Sequence, residues 1–251
     1  MPDFTGQTLI VTGAGSGIGA ATARRLSSDN ANVVLAGRTR DKLESVASEL
    51  PEDRTLVVQA DVSEQEDAER LVSETLSRFG ELHGLVCNAG IAAMGRMGVL
   101  DRDDWDKVIK INVTGTYLTI RAAWDALQQT GGSVVATSSV SGLGGDWGGF
   151  AYNASKGGVS NMVRALALEA GTTGVRVNAV APSMTDTDMA PDSAELVGKF
   201  QERIPLGRAA TTAEVGDVIA FLLGPDARFV NGVVLPVDGG LSASNGQPPI
   251  G

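Results

Sequence analysis

The sequence predicts an α/β fold, in which a doubly wound parallel β-sheet lies between two layers of helices in a single domain. Two observations lead to this prediction. Short runs rich in valine and leucine recur along the 251-residue chain, and stretches with helical periodicity separate them. Runs that are apolar at successive positions are typical of strands buried on both faces. Regular alternation of such strands with helices is typical of a three-layer α/β/α arrangement.

Apolar runs mark the predicted strands, and periodic stretches mark the predicted helices. The strand runs read "TLIVTG", "NVVLAGR", "TLVVQADV", "LHGLVCNAG", "GGSVVATSS", "VRVNAVAP" and "NGVVLPVDGG". The helical stretches cover 20–28, 41–50, 64–79, 105–127, 152–170 and 212–223. Ser63 and Glu66 have the spacing of a capping box at the start of the third helix, and Pro225 follows the last helix.

Composition excludes several classes of partner. No repeat or linker divides the chain, so residues 1–251 are expected to form one domain, with 245–251 as a loosely ordered tail. A formal net charge of −10 disfavours a surface for nucleic acid or anionic lipid. No apolar run reaches the length of a membrane span, and the start lacks the order of a signal peptide. We therefore expect a cytoplasmic protein with no membrane partner.

Cysteine and histidine are too scarce for a metal centre or a disulfide. Cys87 is the single cysteine, and we interpret it as an inert core thiol at the end of a strand. His83 is the single histidine and is expected to be solvated. With no cluster of these residues we predict no metal site, and a Ser-His-Asp hydrolase would depend on that one imidazole.

The stretch "LIVTGAGSGIGAATARRL" has the order strand, glycine-rich turn, helix. Gly13, Gly17 and Gly19 allow a tight turn and a close approach of the backbone to a pyrophosphate. The N-terminus of the following helix stabilises the phosphate charge. This context predicts a dinucleotide site.

The residues at the end of the second strand contact the ribose of that dinucleotide and so determine whether NAD(H) or NADP(H) binds. A carboxylate there binds the 2′-hydroxyl of NAD(H), whereas a 2′-phosphate needs a cation. This chain has Gly37 at the carboxylate position, followed by Arg38, whose guanidinium matches phosphate oxygens. We therefore favour NADP(H). The alternative is that Arg38 covers the adenine and NAD(H) is also used, since Ser16 supplies no second cation.

The stretch "GGFAYNASKGG" places Tyr152 and Lys156 four positions apart, on one face of a helix. An ammonium about 4 Å from the phenol, at an effective dielectric constant of about 20, stabilises the phenolate by roughly 4 kcal/mol. That is enough to lower the pKa of the tyrosine by up to about three units. The alternative is an exposed pair on a solvated helix face.

Six motifs in this order resemble those of the short-chain dehydrogenase/reductase family. They are "TGAGSGIG", "CNAG", "KINVTGTY", "TSSVSG", "YNASK" and "VNGVVLPVDGG". The resemblance covers essentially the whole chain. It implies a Rossmann fold, a single dinucleotide-binding and catalytic domain, and hydride transfer between a nicotinamide cofactor and a carbonyl or alcohol.

The resemblance also implies roles for individual residues. Tyr152 would be the acid–base catalyst, Lys156 its activator and ribose anchor, Ser139 the hydrogen-bond donor to substrate, and Asn112 the holder of a relay water. Pro182-Ser183 and Cys87 depart from the common family pattern. The cofactor-binding residues implied are Gly13, Gly15, Ser16, Gly17, Ile18, Gly19, Arg38, Asp61, Val62, Asn88, Ala89, Gly90, Tyr152, Lys156, Pro182, Ser183, Thr185 and Thr187.

The loops at the carboxyl ends of strands four to six are expected to form the substrate pocket. Their side chains suggest an apolar or aromatic carbonyl substrate, although such residues also fill cores and subunit contacts. By analogy with the family, 184–204 would form a mobile flap. The predicted pocket residues are Met94, Ser141, Trp147, Phe150, Ser183, Met184 and Met189.

The leading hypothesis is an NADP-dependent ketone reductase or alcohol dehydrogenase that forms a homotetramer or dimer. A second hypothesis is a 3-oxoacyl-acyl-carrier-protein reductase, whose acidic partner would need cations at the pocket mouth. A third is a dinucleotide-binding sensor or scaffold without turnover, although all four catalytic positions are occupied. The cations available to the second hypothesis are Arg96, Arg102, Lys107 and Lys110.

Overall fold

The computed structural model describes residues 3–190 and 193–244, and it contains one sheet of seven parallel strands in the order β3-β2-β1-β4-β5-β6-β7. Each strand lies within one of the predicted apolar runs. The prediction of a doubly wound parallel sheet is confirmed. The strands are β1 Thr8–Thr12, β2 Asn32–Gly37, β3 Thr55–Gln59, β4 Gly84–Cys87, β5 Ser133–Thr137, β6 Arg176–Pro182 and β7 Val234–Val237.

Helices cover both faces of the sheet, because successive strand residues point to opposite sides and both sets are apolar. Ile10 of β1 joins a core beneath α3, α5 and α6, while Leu9 and Val11 join a second core beneath α1, α2 and α8. The α-helices are α1 Gly17–Ser28, α2 Arg40–Ala47, α3 Gln65–Phe79, α4 Arg102–Ile109, α5 Gly115–Thr130, α6 Phe150–Ala170, α7 Ala194–Gln201 and α8 Thr212–Leu223.

The order of the strands reverses between β1 and β4. The chain runs outward from β1 to β3 and then returns, so that β4 pairs with β1 on its other side. A crevice opens at the carboxyl ends of strands where the order reverses. The glycine-rich turn after β1 and the "NAG" segment after β4 both lie at this point.

The helix predicted over 105–127 is instead two helices joined by a π-helical turn. Helix α4 ends at Ile109, Lys110–Thr114 forms the π-helical turn, and α5 begins at Gly115. The apolar periodicity continues through this turn, which is why it does not show in the sequence. Single π-helical turns are frequent at functional sites, and this one carries Asn112.

The capping box predicted at Ser63 and Glu66 is wrong. The N-cap residue of α3 is Glu64, and the Ser63 hydroxyl instead donates to Asp61 Oδ1 at 2.8 Å. Ser63 therefore lies one position before the N-cap residue. A complete capping box is present at α8, where Thr211 and Glu214 bind each other's backbone N–H groups.

His83 differs from the expectation of a solvated side chain. Its Nδ1 accepts a hydrogen bond from the Thr8 backbone N–H at 3.2 Å, and the side chain is 23% exposed. Cys87 is buried as expected, and burial raises the pKa of its thiol to about 12. The segment 184–204 contains helix α7, capped by Ser193, and its role as a mobile flap stays a prediction.

Within the described part of the chain, no helix is both long and apolar enough to cross a membrane. Among the same residues, no group of three or more His, Cys, Asp or Glu side chains is placed to hold a metal ion. The predicted tail at 245–251 lies outside the described residues.

Candidate active site

The turn between β1 and α1 forms a backbone cradle that requires glycine. Gly13 and Gly17 have φ values of 65° and 54°, which residues with side chains rarely adopt. A Cβ atom at Gly19 would lie 2.2 Å from the carbonyl oxygen of Gly13. Helix α1 begins at Gly17 with no side-chain cap from Ser16, so its first N–H groups face the cradle without intrahelical partners. Such a cradle suits a phosphate group.

Thr12 and Asn88 hold this turn against the loop that follows β4. The Thr12 hydroxyl accepts hydrogen bonds from the N–H groups of Asn88 and Ala89 at 3.0 and 3.1 Å. The Asn88 side chain donates to the carbonyl oxygens of Thr12 and Gly13. Sequence analysis predicted Asn88 here but missed Thr12, whose only signal is its place directly before the first glycine.

A groove of ≈ 200 Å³ extends from the glycine turn along the carboxyl ends of β2, β3 and β4. A phosphate cradle at one end and a guanidinium at the other fit a dinucleotide. These residues would therefore hold that cofactor. The predicted cofactor-binding residues that line the groove are Gly13, Gly15, Ser16, Arg38, Asp61, Val62, Ala89 and Gly90.

Arg38 lies at the outer end of this groove, directly after β2. Its side chain is exposed, and its backbone carbonyl accepts a hydrogen bond from Gln59 Nε2 at 2.9 Å. Neighbouring Arg40 forms an ion pair with Glu44 at 2.7 Å. Within residues 3–190 and 193–244, no carboxylate forms an ion pair with the Arg38 guanidinium.

The segment after β6 brings Thr187, one of the residues predicted for the nicotinamide end, beside the glycine turn. Pro182 is the last residue of β6, and Ser183 N donates to Val237 O at 3.3 Å. Thr185 is buried. A Cβ atom at Gly17 would lie 3.3 Å from Thr187 Cγ2, so Thr187 packs directly against the phosphate cradle. Ile18, which was also predicted to bind the cofactor, is partly buried and packs against the second core.

Asn112 projects from the π-helical turn into a buried hydrogen-bond network. Its Oδ1 accepts from Ile91 N at 2.9 Å, and its Nδ2 donates to Ile91 O at 2.9 Å and to Ser155 Oγ at 3.0 Å. The side chain therefore fixes the segment after "NAG" against α6. The four predicted catalytic residues come from three separate segments, and this network joins two of them.

Lys156 is buried on α6 and points toward β5. Its Nζ donates to the Thr137 carbonyl oxygen at 2.6 Å and lies 5.6 Å from the centroid of the Tyr152 ring. Burial lowers the pKa of Lys156 to about 8, because an ammonium loses hydration in the interior. A Cβ atom on Gly90 would lie 3.5 Å from Nζ, so the ammonium also borders the cofactor groove.

The pKa of Tyr152 lies above its ordinary value, contrary to the expectation that Lys156 lowers it. Burial raises this pKa most, a hydrogen bond with Ser139 lowers it, and the negative charge of Asp146 raises it. The expected effect of Lys156 assumed a separation of about 4 Å, whereas the ammonium is turned toward the Thr137 carbonyl. Tyr152 is accordingly a phenol at neutral pH.

Ser139 follows β5, and its hydroxyl accepts one hydrogen bond and donates one. Its Oγ accepts from Ser141 N at 3.2 Å and donates to Ser141 Oγ at 3.1 Å or to Pro182 O at 3.3 Å. The Ser141 hydroxyl donates in turn to the Asp146 carboxylate. Sequence analysis gave Asp146 no role, and its position among glycines carries no recognisable signal.

The residues predicted for the substrate pocket differ from one another in burial and in the side chains that they contact. Gly95 N donates to Gly148 O at 2.7 Å, which brings the loop after β4 against the loop before α6. Phe150 stacks on Trp105 with ring centroids 5.3 Å apart. Ser141 is buried, Ser183 and Met184 are half-buried, and Met94, Trp147 and Met189 are exposed.

Comparison with known proteins agrees with this geometry. A family model described as enoyl-(acyl carrier protein) reductase matches residues 13–242. Meso-2,3-butanediol dehydrogenase of Serratia marcescens is 43% identical over 98% of this chain and 99% of its own.

Two solved structures share the fold along nearly the whole chain. The crystal structure of levodione reductase has a TM-score of 0.93 at 35% identity, covering 96% of this chain and 99% of its own. The 3-ketoacyl-(acyl-carrier-protein) reductase of Brucella melitensis, complexed with NADH, has a TM-score of 0.91 at 32% identity, covering 96% and 100%. The chain therefore belongs to the short-chain dehydrogenase/reductase family and is an NAD(P)-dependent oxidoreductase that acts on alcohol or carbonyl groups.

Proposed function

We propose that this enzyme interconverts a ketone and a secondary alcohol, with Tyr152 as acid–base catalyst and Ser139 as hydrogen-bond donor to the reacting oxygen. The observation that carries this proposal is the placement of Lys156 one helical turn after Tyr152 on α6, with its Nζ 5.6 Å from the centroid of the Tyr152 ring and at the border of the cofactor groove beside Gly90. A nicotinamide dinucleotide bound there supplies or accepts the hydride. The residues of the chain transfer the proton and orient the substrate.

In the reducing direction Tyr152 donates its proton to the substrate oxygen as negative charge builds there. The phenol is protonated at neutral pH and so holds the proton that it donates, while its raised pKa makes it a weaker acid than a phenol in water. The Ser139 hydroxyl turns from its protein acceptors to the same oxygen. Lys156 keeps a positive charge near the phenol and beside the groove, where it would bind the cofactor ribose. The relay water proposed for Asn112 stays a prediction.

The charges at the pocket mouth favour a small substrate over an acyl-carrier protein. Arg102 forms an ion pair with Asp106 at 2.7 Å, and Lys110 lies within 2.5 Å of Glu64. Two of the four cations that would attract an acidic partner are thus already paired with carboxylates of this chain. The exposed apolar side chains around the site support an apolar carbonyl substrate. A sensor without turnover is disfavoured because all four catalytic residues are present.

Replacing Tyr152 by phenylalanine tests the catalytic assignment. Tyr152→Phe removes the proton donor but keeps the ring and its packing, so we expect turnover to fall by roughly three orders of magnitude or more with cofactor binding unchanged. Nicotinamide absorbance with a panel of ketones measures turnover, and fluorescence titration measures cofactor binding. Tyr117→Phe, at an exposed tyrosine on α5, is the matched control. Near-normal turnover of Tyr152→Phe would refute the assignment.

We propose NADP(H) as the preferred cofactor, on the basis of Arg38. Its guanidinium lies at the outer end of the groove without a carboxylate partner among the described residues, so it is free to pair with a 2′-phosphate. Arg38→Ser is expected to raise KM for NADPH by about tenfold and leave KM for NADH within about twofold. Arg40→Ser, next along the chain, is the control. Equal changes for both cofactors in Arg38→Ser would contradict the preference.

We propose self-association to a homotetramer or dimer, which the family resemblance implies and two exposed apolar side chains support. Leu168 on α6 is 83% exposed and Phe229 is fully exposed. Apolar side chains of this size are typical of subunit contacts. Cytoplasmic localisation likewise stays a prediction.

A further inference from the structure

Lys42 is a second cation of the cofactor groove, to which the sequence pattern assigns no role. It lies in the first turn of α2, four residues after Arg38, and both residues line the groove. A Cβ atom on Gly15 would lie 3.0 Å from Lys42 Cβ, so the lysine side chain starts directly beside the glycine turn. The next residue of that turn is Ser16, whose hydroxyl carries no charge. The fold therefore brings to this turn a cation that the turn itself lacks.

The packing of α2 fixes the position from which the Lys42 side chain extends. Leu43, the next residue, is buried in the core beneath α1, α2 and α8, and a Cβ atom on Gly37 would lie 3.3 Å from Leu43 Cδ2. Gly37 is the position at which a carboxylate would bind the 2′-hydroxyl of NAD(H). The first turns of α2 therefore pack against the end of β2 through Leu43 and against the glycine turn through Lys42.

The charged side chains that line the groove favour an anion. Among the described residues these are two cations, Arg38 and Lys42, and one carboxylate, Asp61, which gives a net charge of +1. The Asp61 carboxylate accepts hydrogen bonds from the N–H and hydroxyl groups of Ser63 at 2.9 and 2.8 Å, so it is bound within its own loop. A phosphate monoester carries a charge of about −1.5 to −2 at neutral pH, which matches two cations.

The ion pair that Lys42 forms within the protein is weak. Its Nζ lies 3.9 Å from Asp188 Oδ2 in the segment after β6, which is beyond hydrogen-bond distance, and the two side chains are 59% and 83% exposed. Exposed ion pairs of this kind contribute little to stability. A phosphate monoester, with its larger charge, therefore competes effectively with the Asp188 carboxylate for the ammonium.

We propose that Lys42 is a second specificity-determining cation of the cofactor site: together with Arg38, its ammonium binds the 2′-phosphate of NADP(H). This inference rests on the preference for NADP(H) proposed above. Arg38 supplies a planar guanidinium that matches two phosphate oxygens, and Lys42 supplies a compact charge from the side of the glycine turn. NAD(H) lacks the 2′-phosphate, so its binding does not depend on either cation in this way.

Fluorescence titration of NADPH and NADH without substrate measures the effect of Lys42 as a dissociation constant, independently of turnover. Lys42→Gln is expected to raise Kd for NADPH about fivefold and to leave Kd for NADH within about twofold. Lys42→Arg keeps the charge and should bind NADPH within about twofold of the wild type. Lys107→Gln, at an exposed lysine on α4, is the matched control and should change neither constant. Thermal unfolding checks that each variant is folded.

Asp188→Asn distinguishes phosphate binding from a structural role of the ion pair. If the ammonium binds the 2′-phosphate, removing the competing carboxylate lowers Kd for NADPH about twofold, which is opposite in sign to the effect of Lys42→Gln. The same substitution then has no effect in the Lys42→Gln background. If the pair only held α2 to the segment after β6, each single variant would raise Kd for both cofactors.

Several outcomes overturn the inference. An unchanged Kd for NADPH in Lys42→Gln does so, as do an equal rise for NADH, an equal rise in Lys107→Gln, and a rise in Asp188→Asn. Arg38→Ser, titrated in the same way, tests the proposed preference separately. A raised Kd for NADPH in Arg38→Ser, combined with no effect of Lys42→Gln, refutes the role of Lys42 alone, whereas equal Kd values of the wild type for NADPH and NADH refute both proposals.

Discussion

Burial governs the acid–base behaviour of the two residues at the centre of the site. It raises the pKa of Tyr152 and lowers that of Lys156 to about 8, so each group is displaced toward its neutral form. The tyrosine is therefore a protonated phenol at neutral pH, and its raised pKa makes it a weaker acid than a phenol in water. The lysine, in contrast, is an ammonium in surroundings that disfavour its charge, and this lowers the stability of the folded protein.

The lowered pKa of Lys156 makes the free energy of unfolding depend on pH. Between pH 8 and 10.5 the unfolded chain keeps the Lys156 proton while the folded protein loses it, so the contribution of Lys156 to the free energy of unfolding rises with pH. The full change is on the order of 3 kcal/mol. Below pH 8 both states are protonated and the contribution is constant.

Comparing the wild type with Lys156→Met isolates this effect, because the raised pKa values of Cys87 and Tyr152 act in both proteins. The difference in free energy of unfolding, wild type minus variant, is expected to increase from pH 8 to pH 10 in urea titrations. Lys107→Met, at an exposed lysine, is the control and should show no such trend. A flat difference for Lys156→Met would show that its ammonium is not destabilised by burial.

At the scale of elements, hydrogen bonds from β6 determine how the last helix and strand join the sheet. Arg176 at the start of β6 donates to the carbonyl oxygens of Leu222, Leu223 and Gly224 at the end of α8. These carbonyls have no partners within the helix, and the guanidinium supplies both hydrogen bonds and a favourable charge at the helix C-terminus. The same strand continues to Pro182, so this contact also anchors the segment that carries Ser183 and Thr187.

Removing the guanidinium of Arg176 should destabilise the protein. Arg176→Met removes the charged donor from three carbonyl groups at the end of α8 and leaves that of Leu223 without its partner, so it is expected to lower the free energy of unfolding by about 2–3 kcal/mol. Urea denaturation measures this change. Arg164→Met, at an exposed arginine on α6, serves as the comparison and should change stability by less than about 0.5 kcal/mol. Equal stability of the two variants would show that α8 does not depend on Arg176.

At the scale of the whole molecule, the reversal of strand order assembles the site. Gly13 follows β1, Asn88 follows β4, Ser139 follows β5 and Thr187 follows β6, so these four segments are far apart in sequence. Parallel strands bring their carboxyl ends to one edge, and the reversal between β1 and β4 opens the crevice that the cofactor groove occupies. Chemistry and cofactor binding thus share one edge of one sheet.

The sequence determined the strands, the glycine turn and the identity of the candidate residues, because each of these is a local property. Apolar runs, a glycine pattern and the spacing of Tyr152 and Lys156 depend only on near neighbours in the chain. Two predictions from local patterns are wrong. Ser63 matches a capping box that does not form, and the continuous apolar periodicity of 105–127 gives no sign of the π-helical turn at Asn112.

What only the tertiary structure decided is the proton chemistry of the site. The separation of the Lys156 ammonium from Tyr152, the burial that raises the pKa of the phenol, and the bond from Ser141 to Asp146 all depend on groups that folding brings together. Burial and hydrogen bonding act through space, and sequence spacing specifies them only along a single helix or strand. The residues of the reaction are therefore readable from the chain, whereas their protonation and orientation follow from the packed fold.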